Sequence, residues 1–177
     1  MKKKPQLREA VLKWLLTCFV IFLAGSFAYF LLFHSLRGPA SSRPVKIYFL
    51  KGERLMAVSR AAVGEAPAER EAVDALLKGP TKEEAQRGYF SEIPDGTKAK
   101  KVYIEDSVAF VDFNGRIGDY GGGSARVQGI VSQIVYTLTE LPGIKKVGIL
   151  VEGRSEVVLG GEGYILEKPL SREDVRF

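Results

Sequence analysis

The sequence predicts an α+β chain: an N-terminal transmembrane helix, then one α/β sandwich domain with two main helices on one face of a mixed sheet. Three observations predict it. Residues 14–33 (WLLTCFVIFLAGSFAYFLLF) carry no charge over twenty residues, long enough as a helix to cross a hydrocarbon core of about 30 Å. Val127, Ile130, Val131, Ile134, Val135 and Leu138 recur at the spacing of one buried helical face. Short β-rich runs bounded by Gly, Pro and Asp turns complete the order β-β-α-β-β-α-β.

Lys2, Lys3, Lys4, Arg8 and Lys13 precede the apolar segment, so the positive-inside rule keeps residues 1–13 in the cytoplasm and puts the rest outside. A cleaved signal peptide has a shorter apolar core, about 7–15 residues, and Gly38-Pro39-Ala40 is a poor cleavage site. An uncleaved signal anchor is therefore the better reading. Cys18 follows Leu15-Leu16-Thr17, but Thr17 is large for the position before a lipid-modified cysteine, so an ordinary membrane-buried thiol fits better. The chain has no other cysteine, which leaves the outward part without a disulfide or a thiolate metal site.

The net charge of +5 would suit nucleic acid, but its distribution does not. Residues 1–46 hold eight Lys or Arg and one acid, leaving 18 basic and 20 acidic residues over 47–177. The excess of positive charge belongs to membrane topology, and nucleic acid is not an expected partner. Residues 34–44 form a juxtamembrane linker containing Gly, Pro and Ser. Its roughly ten residues reach at most about 35 Å, holding the domain over 45–170 close to the membrane. Residues 171–177 read as a polar C-terminal tail that frays together with the residues from Lys168 onward.

Within the domain, Val45–Leu50 and Leu55–Arg60 form a hairpin around Lys51-Gly52-Glu53. Pro67 fits the first turn of a helix with Glu65, Glu69 and Glu71 near its positive end. Ala72, Val73, Leu76 and Leu77 are its apolar stripe, and Gly79-Pro80 ends it. Thr81–Ser91 holds one or two helical turns, and Ile93–Thr97 (IPDGT) is a turn. Lys101–Glu105 and Val108–Phe113 pair across Asp106-Ser107, and VAFVDF, apolar on both faces as far as Asp112, sits centrally in the sheet. After the second helix, stopped by Leu141-Pro142-Gly143, come a buried strand Val147–Val151, a turn at Glu152-Gly153-Arg154, and weaker strands Val157–Leu159 and Tyr164–Leu166.

Catalytic residue types are scarce. The single histidine, His34, lies at the membrane boundary, so neither a Ser-His-Asp nor a Cys-His arrangement forms within one chain. Zinc sites built on His or Cys are excluded on the same count, and no cofactor is expected. Asp112, Glu140 and Glu152 stand near element ends, where a carboxylate pair of the glycosidase kind could converge; the simpler reading is that they cap turns. Gly121, Gly122, Gly123 and Ser124 follow a strand and open a helix, the setting of anion-cradling loops. The Lys-Ser/Thr of a phosphate-binding loop is missing after the last glycine. The simpler reading makes Ser124 the N-cap and the glycines the bend.

The motifs in order resemble the GerMN domain family. Ala75-Leu76-Leu77-Lys78-Gly79-Pro80-Thr81 and Ile93–Thr97 resemble its front half. Val111-Asp112-Phe113, the Gly-Gly-Gly-Ser loop, Ile134–Leu141 and Val147–Gly153 resemble its second half. The resemblance spans about residues 45–170 and implies a Gram-positive, often spore-forming source. It also implies a cell-surface protein of sporulation or germination, similar to the ring-building modules of assemblies between two membranes. No catalytic residues come with it. The best-known sporulation member carries two such domains on a lipid anchor, whereas this chain has one on an apolar helix.

The leading expectation is therefore a non-enzymatic, single-pass interaction or assembly module with its C-terminal domain outside the cell membrane. Its partners are the membrane, envelope or sporulation proteins, and a second copy through a sheet edge or helix face. The alternative is a small-ligand, anion or glycan-binding envelope sensor using the 118–124 loop.

Overall fold

A computed structural model describes residues 13–19, 21–23, 25–27, 29, 44–61, 66–121, 123–159 and 164–175. Two compact units emerge, Met1–Ser41 and Ser42–Phe177. In the first, the described residues are helical. Among the described residues no helix is long and apolar enough to cross a membrane; the remainder of the expected anchor 14–33, with most of the linker and His34, lies outside them.

The second unit has the expected α+β class. Strands β1 (Val45–Lys51) and β2 (Arg54–Arg60) form the hairpin, with Val45 opposite Arg60 and Lys51 opposite Arg54. Gly52, at φ +60°, takes the left-handed turn position. Helix α1 (Ala68–Leu77) follows, with Pro67 at the N-cap, one place earlier than expected. It buries Ala72, Val73 and Leu76 and ends where Gly79 adopts φ +72°. The region read as one or two turns is helix α2 (Lys82–Gln86), held by a Thr81–Glu84 capping box. A two-residue strand β3 (Tyr89–Phe90) comes next and pairs with the end of β1.

Strands β4 (Ala99–Glu105) and β5 (Val108–Phe113) form the second hairpin. Asp106 and Ser107 both have positive φ, 48° and 65°, as a type I′ hairpin turn requires. Helix α3 (Ser124–Leu138) then carries the chain over to β6 (Lys146–Val151), parallel to β5. A parallel pair needs such a crossover. The last strands, β7 (Val157–Leu159) and β8 (Tyr164–Leu166), form a separate antiparallel ribbon.

One mixed sheet was expected. The structure divides it into β2-β1-β3 and the mixed sheet β4-β5-β6, with the ribbon as a third piece. The physical reason lies in α3. Along the edge of β1 left open by short β3, the Thr137 hydroxyl accepts from the Tyr48 N–H at 3.0 Å. The Gln133 side-chain amide donates to the Tyr48 carbonyl at 3.4 Å and accepts from the Glu92 N–H at 2.9 Å. Helix side chains thus take the place of a neighbouring strand, satisfying backbone groups that burial would otherwise leave unpaired.

All six residues of the predicted α3 stripe are buried, but so are Gly129, Ser132, Gln133 and Thr137. The helix is central, flanked by α1, β1 and β6. At Gly129 a Cβ would stand 3.1 Å from Glu92 Cγ and 3.2 Å from Leu50 Cδ1, so a larger residue here would require those side chains to give by a few tenths of an ångström. Burying each large aliphatic of the stripe contributes about 1.5–3 kcal/mol.

The C-terminal segment does not fray through its described part. Leu170 pairs with Val147 at the outer edge of β6, Val175 is buried, and Ser171 is closed onto Asp174 through N–H and hydroxyl bonds of 2.8 and 2.7 Å. Two buried aliphatics, a backbone hydrogen-bond pair, the Arg172 side chain and one turn dock a segment that composition marks as polar.

Candidate functional site

The glycine loop is held from within. Gly123, not Ser124, occupies the N-cap position of α3, with φ −83° and ψ −167°. Ser124 is the first helical residue, which corrects its expected capping role; Gly122 lies outside the described residues. Gly121, Gly123 and Ser124 are exposed. Arg126, in the first turn of the helix, reaches back into the loop. Its Nη1 donates to the Gly121 carbonyl at 2.7 Å, and its Nε lies 2.9 Å from the Glu92 carboxylate. Its guanidinium stands 5.6 Å from the Tyr120 ring. The cation that could have welcomed an anion here already serves the loop and Glu92.

The three carboxylates divide between two places. Asp112 accepts from the Gly153 N–H at 2.8 Å. Glu152 accepts from the Gly115 N–H at 2.9 Å and from Lys100 Nζ at 2.6 Å. Both stabilise turns at one end of β4-β5-β6, as the simpler reading held. Lys100 and the Gly115 amide hold the Glu152 carboxyl below its ordinary range.

Glu140 stands just past the end of α3. One oxygen accepts from Arg172 at 2.8 Å and the Tyr48 hydroxyl at 2.9 Å, the other from Lys46 at 2.7 Å. The hydrogen bonds from Arg172 and Lys46, followed by that from Tyr48, hold its carboxyl at about 2 against partial burial. Glycosidase chemistry needs one carboxyl raised so that it can donate a proton near neutral pH. Glu140 and Glu152 are both shifted the other way.

Sequence reasoning did not find the group gathered around Glu140. The Arg172 guanidinium lies 4.8 Å from the Tyr136 ring and 5.5 Å from Tyr48, and donates to the Tyr136 carbonyl and the Thr139 hydroxyl. Its members come from β1, α3 and the C-terminal segment, so no local spacing could signal them. Among the described residues no group of three or more His, Cys, Asp or Glu is placed to hold a metal ion.

What the domain offers outward is open sheet edge and scattered apolar surface. β2 and β4 are terminal strands of their sheets. Met56, Phe90, Ile104, Val158 and Ile165 are exposed, the last two directly opposite one another on the β7–β8 ribbon. On the outer face of β4-β5-β6, Tyr103 stacks on Phe110 with centroids 5.1 Å apart. The Phe110 ring in turn fills the place of a side chain at Gly148.

A sandwich whose turn carboxylates are engaged within the domain and whose sheets end in unpaired strands defines the class by its fold: an α+β sandwich domain. The chain belongs to the family described as Germane, sporulation and spore germination, which matches residues 46–157. This agrees with the GerMN resemblance carried by the motifs.

The spore germination protein GerM of Bacillus subtilis (strain 168) is 37% identical over 105 residues, 57% of this chain and 27% of that protein. This chain therefore spans only about a quarter of that relative's length. The first GerMN domain of the sporulation protein GerM from Bacillus subtilis matches with a TM-score of 0.63 at 23% identity, covering 75% of this chain and 99% of that one. The tandem GerMN domains of the same protein match at 0.60 and 27%, covering 78% and 49%. A putative lipoprotein from Clostridium perfringens matches at 0.55 and 20%, covering 78% and 94%. The first and third of these structures speak to the fold alone.

Proposed function

We propose that this chain is a membrane-anchored assembly module of a Gram-positive cell envelope, acting in sporulation or spore germination from the extracytoplasmic side. The observation that carries the reading is the family match over 46–157, with relatives named for sporulation and germination. The uncharged segment 14–33 and its basic flank support a single-pass anchor with residues 1–13 inside. Residues 34–44 are the tether and the module starts at 45. The packing of Leu170 and Val175 supports counting the segment to 175 with the module rather than as a tail. The open edges of β2 and β4 are its means of contact.

The test is deletion and complementation. The reading expects a sporulation, germination or envelope defect, rescued by the full chain and not by residues 45–177 released without an anchor. Normal sporulation, germination and envelope integrity in the deletion strain would overturn it.

A second reading, an anion or glycan sensor at Gly121–Ser124, is supported by the exposure of Gly121, Gly123 and Ser124 at the start of α3. It requires a ligand to displace the Arg126–Gly121 hydrogen bond. A saturable thermal shift with inorganic phosphate or a peptidoglycan fragment, lost on Gly123→Val, is its expected signature.

A further inference from the structure

We infer that β4 pairs antiparallel with β4 of a second copy, about a twofold axis through Tyr103. The inference rests on the assembly reading and gives it a partner. β4 is the terminal strand of its sheet, and among the described residues no strand pairs with its outer side. The two-residue turn makes Glu105 and Val108 the closing hydrogen-bonded pair of the hairpin. Bonding then alternates, so Tyr103 and Lys101 also direct their backbone groups at β5. Val102 and Ile104 present theirs to the open edge.

The side chains are self-complementary about Tyr103. In that register Tyr103 faces its own copy, Lys101 faces Glu105, and Val102 faces Ile104. Lys101, Tyr103 and Glu105 share one face, so each copy supplies both members of two opposite-charge pairs. Glu105 is exposed and has no ion pair among the described residues. Lys100, by contrast, is committed to Glu152 at 2.6 Å. On the other face Ile104, 47% exposed, is covered by Val102 of the second copy. Val102 and Ile104 exchange the main-chain bonds, and the Tyr103 pair extends the stack that Phe110 begins.

Lysines on an edge strand ordinarily discourage pairing. Here a glutamate at the mirror position turns that repulsion into a register signal. The neighbouring registers, centred on Val102 or Ile104, put Lys101 opposite Tyr103 or Glu105 opposite Tyr103 and lose both charge pairs. The contact is small, in the range of weak, transient interfaces, and two-dimensional confinement of tethered copies raises their effective concentration.

The test uses the purified full chain in detergent with Cys18→Ala as background. Tyr103→Cys is expected to form a disulfide-linked dimer under mild oxidation, because a non-hydrogen-bonded pair brings Cα atoms to about 4.5 Å. Ile104→Cys is expected not to, because its own copy then lies beyond about 7 Å. By sedimentation, Glu105→Lys weakens the dimer at least about tenfold, and adding Lys101→Glu restores it; melting curves check that each variant folds. A monomer at all concentrations, equal cross-linking at both positions, or a dimer indifferent to Glu105→Lys overturns the pairing. None of these touches the assembly reading, which the deletion strain tests separately.

Discussion

Leu170 and Val147 exchange backbone hydrogen bonds, each 2.8 Å long, which seats the C-terminal segment on the outer edge of β6. Leu170 and Val175 are buried there, and Arg172 is bonded between them. Ending the chain at Pro169 is therefore expected to destabilise the domain by at least about 2 kcal/mol, from two buried aliphatics and a charged hydrogen bond. Urea unfolding measures it. An unchanged midpoint would show that the segment adds nothing.

Glu140→Gln tests the group beneath that segment. The Glu140 carboxyl is lowered from its ordinary 4.5 to about 2, chiefly by the Arg172 hydrogen bond and then by Lys46. A depressed carboxylate stabilises the fold fully above its unfolded pKa and loses that contribution as pH falls through the folded one. After discounting for partial solvent exposure, the substitution costs about 1–2 kcal/mol at pH 7. The gap between variant and parent closes as pH falls from 4.5 towards 2. A constant difference across that range would mean that charge is not the cause.

Gln133 and Ser132 are neighbours, both fully buried on α3, with opposite expectations. Gln133→Leu leaves the Tyr48 carbonyl and the Glu92 N–H without their side-chain partner and costs about 1–3 kcal/mol. The Ser132 hydroxyl has no hydrogen-bond partner among the described residues, so Ser132→Ala is neutral or mildly stabilising. Thermal denaturation of the two variants side by side checks the contrast.

Gly148→Ala would place a Cβ 2.4 Å from Phe110 Cδ1. The ring must swing away, breaking its stack on Tyr103, at a cost of about 1–3 kcal/mol. Loss of near-ultraviolet circular dichroism with retained far-ultraviolet signal is the expected readout. Phe110→Leu in the same chain should recover part of the stability.

The elements that could be read from sequence are those whose cause is local. The 3.6-residue spacing from Val127 to Leu138 and the turn at Asp106-Ser107 each lie within a few residues, and both elements appear in place. What was missed depends on residues far apart in the chain. Strand β3 is two residues long and exists because Leu50 and Lys51 offer it an edge. The split of the sheet depends on Thr137 and Gln133 meeting Tyr48 across more than eighty residues. Arg172 falls in a stretch with no apolar periodicity, and only its partners on β1 and α3 reveal its role.

The most direct measurement for the assembly account is site-specific photo-crosslinking from the β4 edge, at Ile104, in intact sporulating cells expressing the full chain. The account predicts discrete adducts on the extracytoplasmic side, containing a second copy of the chain or an envelope protein. They should be absent when the same probe replaces buried Ile134. A probe at Ile104 that yields no adduct above the Ile134 background, in cells that sporulate and germinate normally, would contradict it.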